Sequence, residues 1–345
     1  MDDGRFFDTL TTEEKQTVQG LRGIEAKRAE YRVQFHAAIA AAERLYGLKC
    51  KPLYERRRRI IAGEFSVSAE EIERGEQQIL KEDITYQKLP SVGELASGTV
   101  LDGFWLRALK THSRIKTMIC EIDEAALKHL VDIAISYPAM KSDRTSNGLD
   151  AVDQPIIAFT LTFHFSPNEY FENSMLTKTH VYKNELTFLD TLDCDYVIGD
   201  KISWKPGQNL VKLADETKAL SKANKAKIVL NDASENEDAS EDDNDSDYQE
   251  DEYFGSFFKF FSPLPAITVP GNVDEYARSL LVNKEFEIGE MLKDRVVPRA
   301  VEYFTGDSGE YEGSDLDSAD GFATDEVLDA LKRELNGRLK GKGRE

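Results

Sequence analysis

The chain is poor in the residues on which most enzymes and metal proteins depend. Only 3 cysteines and 5 histidines occur among its 345 residues. Cys50, Cys120 and Cys194 are far apart and form no CxxC or metal-type pair, which argues against a disulfide framework and fits buried thiols in a reducing compartment. No Gly-rich phosphate loop, HExxH helix or GxSxG elbow is present. His36, His112, His129, His164 and His180 are scattered, and only His164 and His180 fall on segments that could bring them together. The run Asp315, Asp317, Asp320, Gly321 fails as a calcium loop, because a glycine in sixth place puts Leu316 in the first ligand position. We expect no catalytic residue, no metal and no cofactor.

Long hydrophobic runs are also missing, and nothing approaches the roughly 18 apolar residues of a membrane span. The opening stretch carries Asp2, Asp3 and Asp8 and no apolar leader. The expectation is a protein of the nucleus and cytoplasm with no membrane partner. Basic charge is in deficit too: 44 Lys and Arg face 64 Asp and Glu, a net charge of -20.

What is present is acidity confined to two places. Twelve carboxylates and no Lys or Arg lie between Asp232 and Glu252, and nine more lie between Asp307 and Asp329. The rest of the chain sums to about +1. Charge concentrated in this way on a near-neutral body points to a cationic partner and away from direct DNA binding, which needs clustered Lys and Arg. Aromatic residues beside the acids, Tyr248, Tyr253 and Phe254, could plug an apolar pocket while the carboxylates neutralise its basic rim.

The fold class reads as α+β. From about Thr12 to Ala62 the composition is helical, with Ile24, Tyr31, Ala38 and Leu45 seven apart and Leu21, Phe35 and Ala42 beside them. A coiled-coil seam of this length on a thin helix calls for a second copy, so a homodimer is expected. Gly47 and Pro52 should loosen this helix without ending it. Ser68 ahead of Ala69, Glu70 and Glu71 caps another helix. Helical patterns return at Phe104 to Thr111 and Glu124 to Ile135. After Asp150 the period changes to two: Ile157, Phe159, Leu161, Phe163 and Phe165 alternate with smaller or polar residues, and strands follow at Met175 to Tyr182 and Asp195 to Trp204. Short connections imply an antiparallel sheet with helices on one side. A helix from about Asp274 to Phe304 comes next. Thr324 to Leu339 then forms an amphipathic segment that ends basic, and the sign reversal after Asp329 suggests that it folds back on acidic surface.

Arg56 to Arg59 is the densest basic cluster. It suits a salt-bridging helix surface, with recognition by a nuclear import receptor as the alternative, and Lys218 to Lys227 is similarly ambiguous.

Several ordered motifs resemble the nucleosome assembly protein family over residues 21 to 306. Lys51-Pro52-Leu53-Tyr54-Glu55-Arg56-Arg57 resembles the end of that family's long dimerisation helix, and Phe104-Trp105-Leu106-Arg107-Ala108-Leu109 resembles its FWLxAL motif. Asn168-Glu169-Tyr170-Phe171-Glu172-Asn173 through Leu176-Thr177-Lys178-Thr179 resembles its NxYFxNxxLTKTY block. Ile202-Ser203-Trp204-Lys205, Ser256-Phe257-Phe258-Lys259-Phe260-Phe261 and Val297-Pro298-Arg299-Ala300 through Gly306 complete the set.

The resemblance implies a histone chaperone. It divides the chain into an N-terminal segment (1–20), a dimerisation helix (21–62), an α+β histone-binding domain (63–306) with an acidic insert (228–253), an acidic tail (307–323) and a basic helix (324–345). Core histone heterodimers would be the partners, deposited on DNA without ATP. The expected histone contacts are Glu169, Glu172, Asp190, Asp193, Asp195 and Asp200, then Asp242, Asp243, Asp245, Asp247, Tyr248, Asp251, Glu252 and Tyr253 of the insert, and finally Glu302 and Asp307. On charge alone, an acidic inhibitor of an enzyme such as a phosphatase fits as well.

Overall fold

Fifty residues, Thr12–Ile61, form one uninterrupted helix, α1. Its start is fixed by a capping box: the Thr11 hydroxyl accepts from Glu14 N, and the Glu14 carboxylate accepts from Thr11 N at 2.8 Å. Pro52 lies inside it. The proline removes one backbone bond, but the second half of α1 packs on the rest of the protein, and that packing carries the helix across the defect. Gly63, at φ 70°, supplies the left-handed residue that turns the chain away.

The computed structural model describes residues 6–90, 100–138, 157–186, 192–220, 255–262 and 273–307. The segment with the twelve carboxylates and residues 308–345, with the proposed fold-back helix, lie outside them. Beyond α1 come α2 (Ala69–Glu82), α3 (Phe104–Thr111), α4 (Ser113–Lys116) and α5 (Glu121–Leu127). Four strands follow, β1 (Leu130–Ser136), β2 (Ala158–Phe165), β3 (Met175–Leu186) and β4 (Leu192–Gly199). They pair antiparallel in the order β1-β2-β3-β4. Helix α6 covers residues 210–220, a 3-10 turn covers Phe257–Phe261, and α7 (Val273–Met291) leads through a π-helical turn, Leu292–Val296, to α8 (Ala300–Thr305).

The period-two pattern of β2 is the origin of the core. Phe159, Leu161, Phe163 and Phe165 all face inward. Phe163 meets Phe257, Phe260 and Phe261 of the 3-10 turn edge-to-face, with centroids 6.0, 6.1 and 5.1 Å away. Ser68 caps α2 as expected, through its own box with Glu71.

Three expectations need correction. Glu124 to Ile135 is not one helix: α5 stops at Leu127, and Leu130–Ser136 is a strand. The β-branched residues Val131, Ile133 and Ile135 alternate, and the open edge of β2 offers them a ladder that outweighs local helical spacing. The helix expected from Asp274 to Phe304 is broken. Pro298 has no N–H to give, and Val297 N already reaches back five residues to Leu292 O at 2.9 Å. The last strand ends at Gly199 and not at Trp204, because Asp200 turns inward to accept from Thr177 N and Oγ1, both at 2.8 Å.

The sheet tolerates little extra volume at its edge. A Cβ on Gly199 would sit 2.5 Å from Phe261 O, a backbone atom that cannot move aside cheaply. Gly199→Ala should therefore lower stability by about 1–3 kcal/mol through overpacking. The measurement is the urea midpoint at constant slope; an unchanged midpoint would show that the turn is not pressed against β4.

Candidate partner-binding surfaces

The first surface is the apolar stripe of α1. Leu21, Ile24, Tyr31, Phe35 and Leu45 are exposed in the single chain, Ile24 at 68%, and Ala38 and Ala42 between them are half-buried. Large apolar side chains in a row at helical spacing are costly to leave in water. The far half of α1 is different, because it is bolted to the domain. Lys293, at the π-helical turn, is 4% exposed and reaches Glu43 at 3.6 Å and Asp294 at 3.0 Å. Burial works against its charge, but the two carboxylates outweigh that and hold the ammonium above its ordinary pKa.

The arginine tetrad belongs to the same junction. Arg56 forms a bidentate pair with Glu71, both bonds at 2.9 Å, and Arg57 donates to Val297 O at 2.7 Å across the face of Trp105. Arg58 pairs with Glu55 and Glu64, and Arg59 pairs with Glu64 and stacks 3.7 Å over Phe65. All four are engaged in intramolecular structure, as a salt-bridging helix surface requires.

The second surface is carboxylate. Glu169 and Glu172 share the β2–β3 connection, which is stitched to the segment after β4 by Glu172 N to Ser203 O and Lys205 N to Tyr170 O, both at 2.9 Å. Their side chains stay 65% and 69% exposed beside His129 (3.5 Å) and Lys205 (3.8 Å). Asp195 is half-buried on β4, and Asp200 is committed to Thr177. Glu302, at the other end of the chain, pairs with Arg299 at 2.7 Å, and Asp307 accepts from Thr305 Oγ1 at 2.5 Å. The described expected contacts therefore divide among the β2–β3 connection, β4 with the residue that follows it, and the end of the chain at α8 and Asp307, and several already have partners. Asp193 lies on β4 with its side chain outside the described residues. Asp190, Asp242, Asp243, Asp245, Asp247, Tyr248, Asp251, Glu252 and Tyr253 lie wholly outside them.

His164 and His180 do not meet. Their partners across the ladder, Met175 and Phe159, put them on opposite faces of the sheet. His180 is buried against Phe159, donates to or accepts from nothing charged, and is held neutral by burial, with its pKa lowered to about 3. No group of His, Cys, Asp and Glu among the described residues could hold a metal ion. No described helix is long and apolar enough to cross a membrane.

Sequence reasoning missed the buried charges. Lys178 and Glu285 form an ion pair at 2.5 Å with exposures of 0% and 1%, joining β3 to α7. Asp123 accepts from Ser256 Oγ at 2.7 Å, Phe257 N at 2.8 Å and Cys120 N at 3.1 Å. Only its capping position, three residues after Cys120, signals such a role in the sequence.

One long helix carrying an α+β domain with an antiparallel sheet defines the structural class. Residues 16–307 match the profile of the nucleosome assembly protein (NAP) family. Human Nucleosome assembly protein 1-like 1 is 31% identical over 321 residues, covering 90% of this chain and 74% of that protein. The Xenopus tropicalis protein of the same name is 29% identical over 323 residues, with coverage of 90% and 74%. A solved structure, Nucleosome Assembly Protein 1 from Plasmodium knowlesi, shares 22% identity over 86% of this chain and 98% of that one, with a TM-score of 0.45. The chain belongs to the NAP family.

Asp132 sits at the junction of α1 and the sheet, 5% exposed. Burial raises its carboxyl to about 6, with Arg57 opposing the rise. A folded-state pKa above the ordinary carboxylate value means that the protonated form favours the fold. That contribution is present below about pH 4 and is lost as the pH climbs through about 6. Between about pH 5 and pH 7.5 the wild type should lose about 1–3 kcal/mol relative to Asp132→Asn, from a shift of about two units. Urea unfolding of both proteins at the two pH values is the measurement, and a constant gap between them would refute the assignment.

Proposed function

We propose that the chain is a dimeric histone chaperone, a binding protein and not an enzyme, that takes up core histone heterodimers and gives them to DNA without ATP. The observation that carries this reading is the charge distribution: twelve carboxylates without one cation between Asp232 and Glu252, on a body that sums to about +1. Membership of a family whose relatives are named for nucleosome assembly supports the identity of the cationic partner.

The mechanism follows from screening. A free histone pair is strongly cationic and binds DNA wherever it meets it, so a chaperone must cover that charge and still let go. Clustered carboxylates attract over the ~8–10 Å that salt permits and confer fast association. The domain contributes shape and the insert contributes many weak contacts, which together give avidity without one slow-dissociating bond. DNA carries charge more densely and can take the histone when its geometry allows. The exposed stripe of Leu21, Ile24, Tyr31 and Phe35 would be covered by the same stripe of a second copy, placing two domains on one scaffold. Work in the nucleus follows from the substrate. Shuttling to the cytoplasm through an import receptor would have to use Lys218 to Lys227, or the arginine tetrad at the cost of its ion pairs.

The test combines the full chain with core histones and relaxed plasmid and no ATP. Supercoils should appear, and replacing the twelve carboxylates by Asn and Gln should weaken histone binding by about tenfold or more at physiological salt. Replacing Leu21, Ile24, Tyr31 and Phe35 by Ser should convert a sedimenting dimer to monomer. Histones that stay aggregated with DNA in the presence of the wild-type chain would sink the chaperone reading and leave the enzyme-inhibitor alternative.

A further inference from the structure

Four buried residues near the end of the fold, Ile288, Leu292, Val296 and Ala300, stand four apart in the chain. An α-helix turns about 100° per residue, so a row with this spacing drifts about 120° from its first member to its last. The π-helical turn at Leu292–Val296, closed by Val297 N to Leu292 O at 2.9 Å, takes in one extra residue. That removes about 100° of the drift. A second row, Gly289, Lys293 and Val297, comes round with the first, and at Lys293 and Val297 it meets α1.

The two contacts with α1 are unlike. Val297 O accepts from Arg57 Nη1 at 2.7 Å, close to Ile61, whose own carbonyl accepts from Leu101 N at 3.0 Å, so this end of α1 is fixed. Glu43 lies about 27 Å back along the helix from Ile61, at 1.5 Å per residue, and reaches Lys293 at 3.6 Å. Gly47 is so close to Tyr137 that a Cβ would stand 2.8 Å from its ring. Little else seals the stretch. Among the described residues of α1 only Cys50 and Ile61 are buried, and Pro52 takes away a backbone bond. Lys293, 4% exposed, does not depend on Glu43 for its compensation: Asp294 pairs with it at 3.0 Å, and the Phe159 ring centroid lies 5.2 Å from its ammonium.

We propose that Lys293 and Glu43 form a releasable latch on α1, which pivots about its fixed end at Arg57 to Ile61 while the π turn keeps Lys293 facing the helix. Asp294 stays with the ammonium when Glu43 leaves, so opening the latch strands no buried charge and the sheet remains folded. Lys293 is thus a positioning residue for α1. Where α1 pairs with a second copy, a consequence that rests on the chaperone reading, the latch sets the distance between the two domains.

The test is amide hydrogen exchange on the full-length protein. Glu43→Ala favours the helix locally, so faster exchange in α1 cannot come from lost propensity. Residues 43–56 should exchange about tenfold faster in this variant, as a helical stretch deprived of packing does, with β2 and β3 unchanged. Lys293→Met should act on the same residues, and the double variant should exchange no faster there than the faster single variant, because both cut one contact. Unchanged exchange in α1 after Glu43→Ala would overturn the proposal. So would a rise shared equally by α1 and the sheet in that variant, which would make the contact part of the general stability of the domain. The same samples give the maximum dimension by X-ray scattering, which should grow when the latch opens in a dimer. A wild-type chain that scatters as a monomer would count against the dimer alone, leaving the exchange result to decide the latch.

Discussion

The structure depends on the burial of one aromatic turn. Phe257, Phe258, Phe260 and Phe261 are each fully buried under the sheet, and the turn is held in place by the Asp123 carboxylate, which accepts from Ser256 Oγ and Phe257 N. Closing a loop of the length of 221–254 costs about 3 kcal/mol in chain entropy. Burying four phenylalanines gains about 1.5–3 kcal/mol each, so the aromatic turn exceeds that cost and brings the chain back onto the fold. Without the turn, β2 would lose the inner face against which Phe163 packs, and the acidic insert would have no fixed return.

Burial on this scale also explains where the remaining charge lies. Among the described residues most buried charge is tied, Lys178 to Glu285 and Lys293 to Glu43 and Asp294, and Asp132 is the exception, pushed by burial towards its neutral form. Breaking such a pair leaves a buried ion uncompensated, which is far more costly than the pair is favourable. Lys293 ties the far half of α1 to the domain, while Leu21, Ile24, Tyr31 and Phe35 of the near half stay exposed. A helix whose apolar stripe is already aligned would lose little further entropy on pairing with a second copy, as the proposed dimer requires.

Much of this was legible in the sequence, and what was not has a physical reason. The start of α1 near Thr12, the Ser68 cap, the Phe104–Thr111 helix and the inward face of β2 follow from local chemistry: capping side chains, helix composition and period two. The strand at Leu130–Ser136 was not legible, because Leu127, Leu130, Val131 and Ala134 satisfy helical spacing and only the neighbouring β2 edge decides between the two structures. The break at Leu292–Val296 hides in the same way behind apolar residues that suit a continuous helix, although Pro298 marks where it must end. The candidate contacts were legible as carboxylates but not as partners. Nothing about Asp200 in sequence says that Thr177 will take it, whereas the i,i+3 spacing of Arg299 and Glu302 does signal their pair. The cleft lined by Trp204 was invisible, since Phe261 and Ser262 close it from more than forty residues beyond Ala219.

That distribution bears on how one protein could hold a polycation and release it. If acids were spread across the folded surface, each would acquire a lysine or arginine neighbour, as Glu172 and Glu302 have done, and its field would be cancelled at short range. A stretch with no cation between Asp232 and Glu252 cannot be neutralised by its own neighbours in sequence. It therefore keeps its attraction for a cationic partner, an attraction that salt weakens. Binding that is strong through number and weak at each contact can be stripped one contact at a time by a denser polyanion.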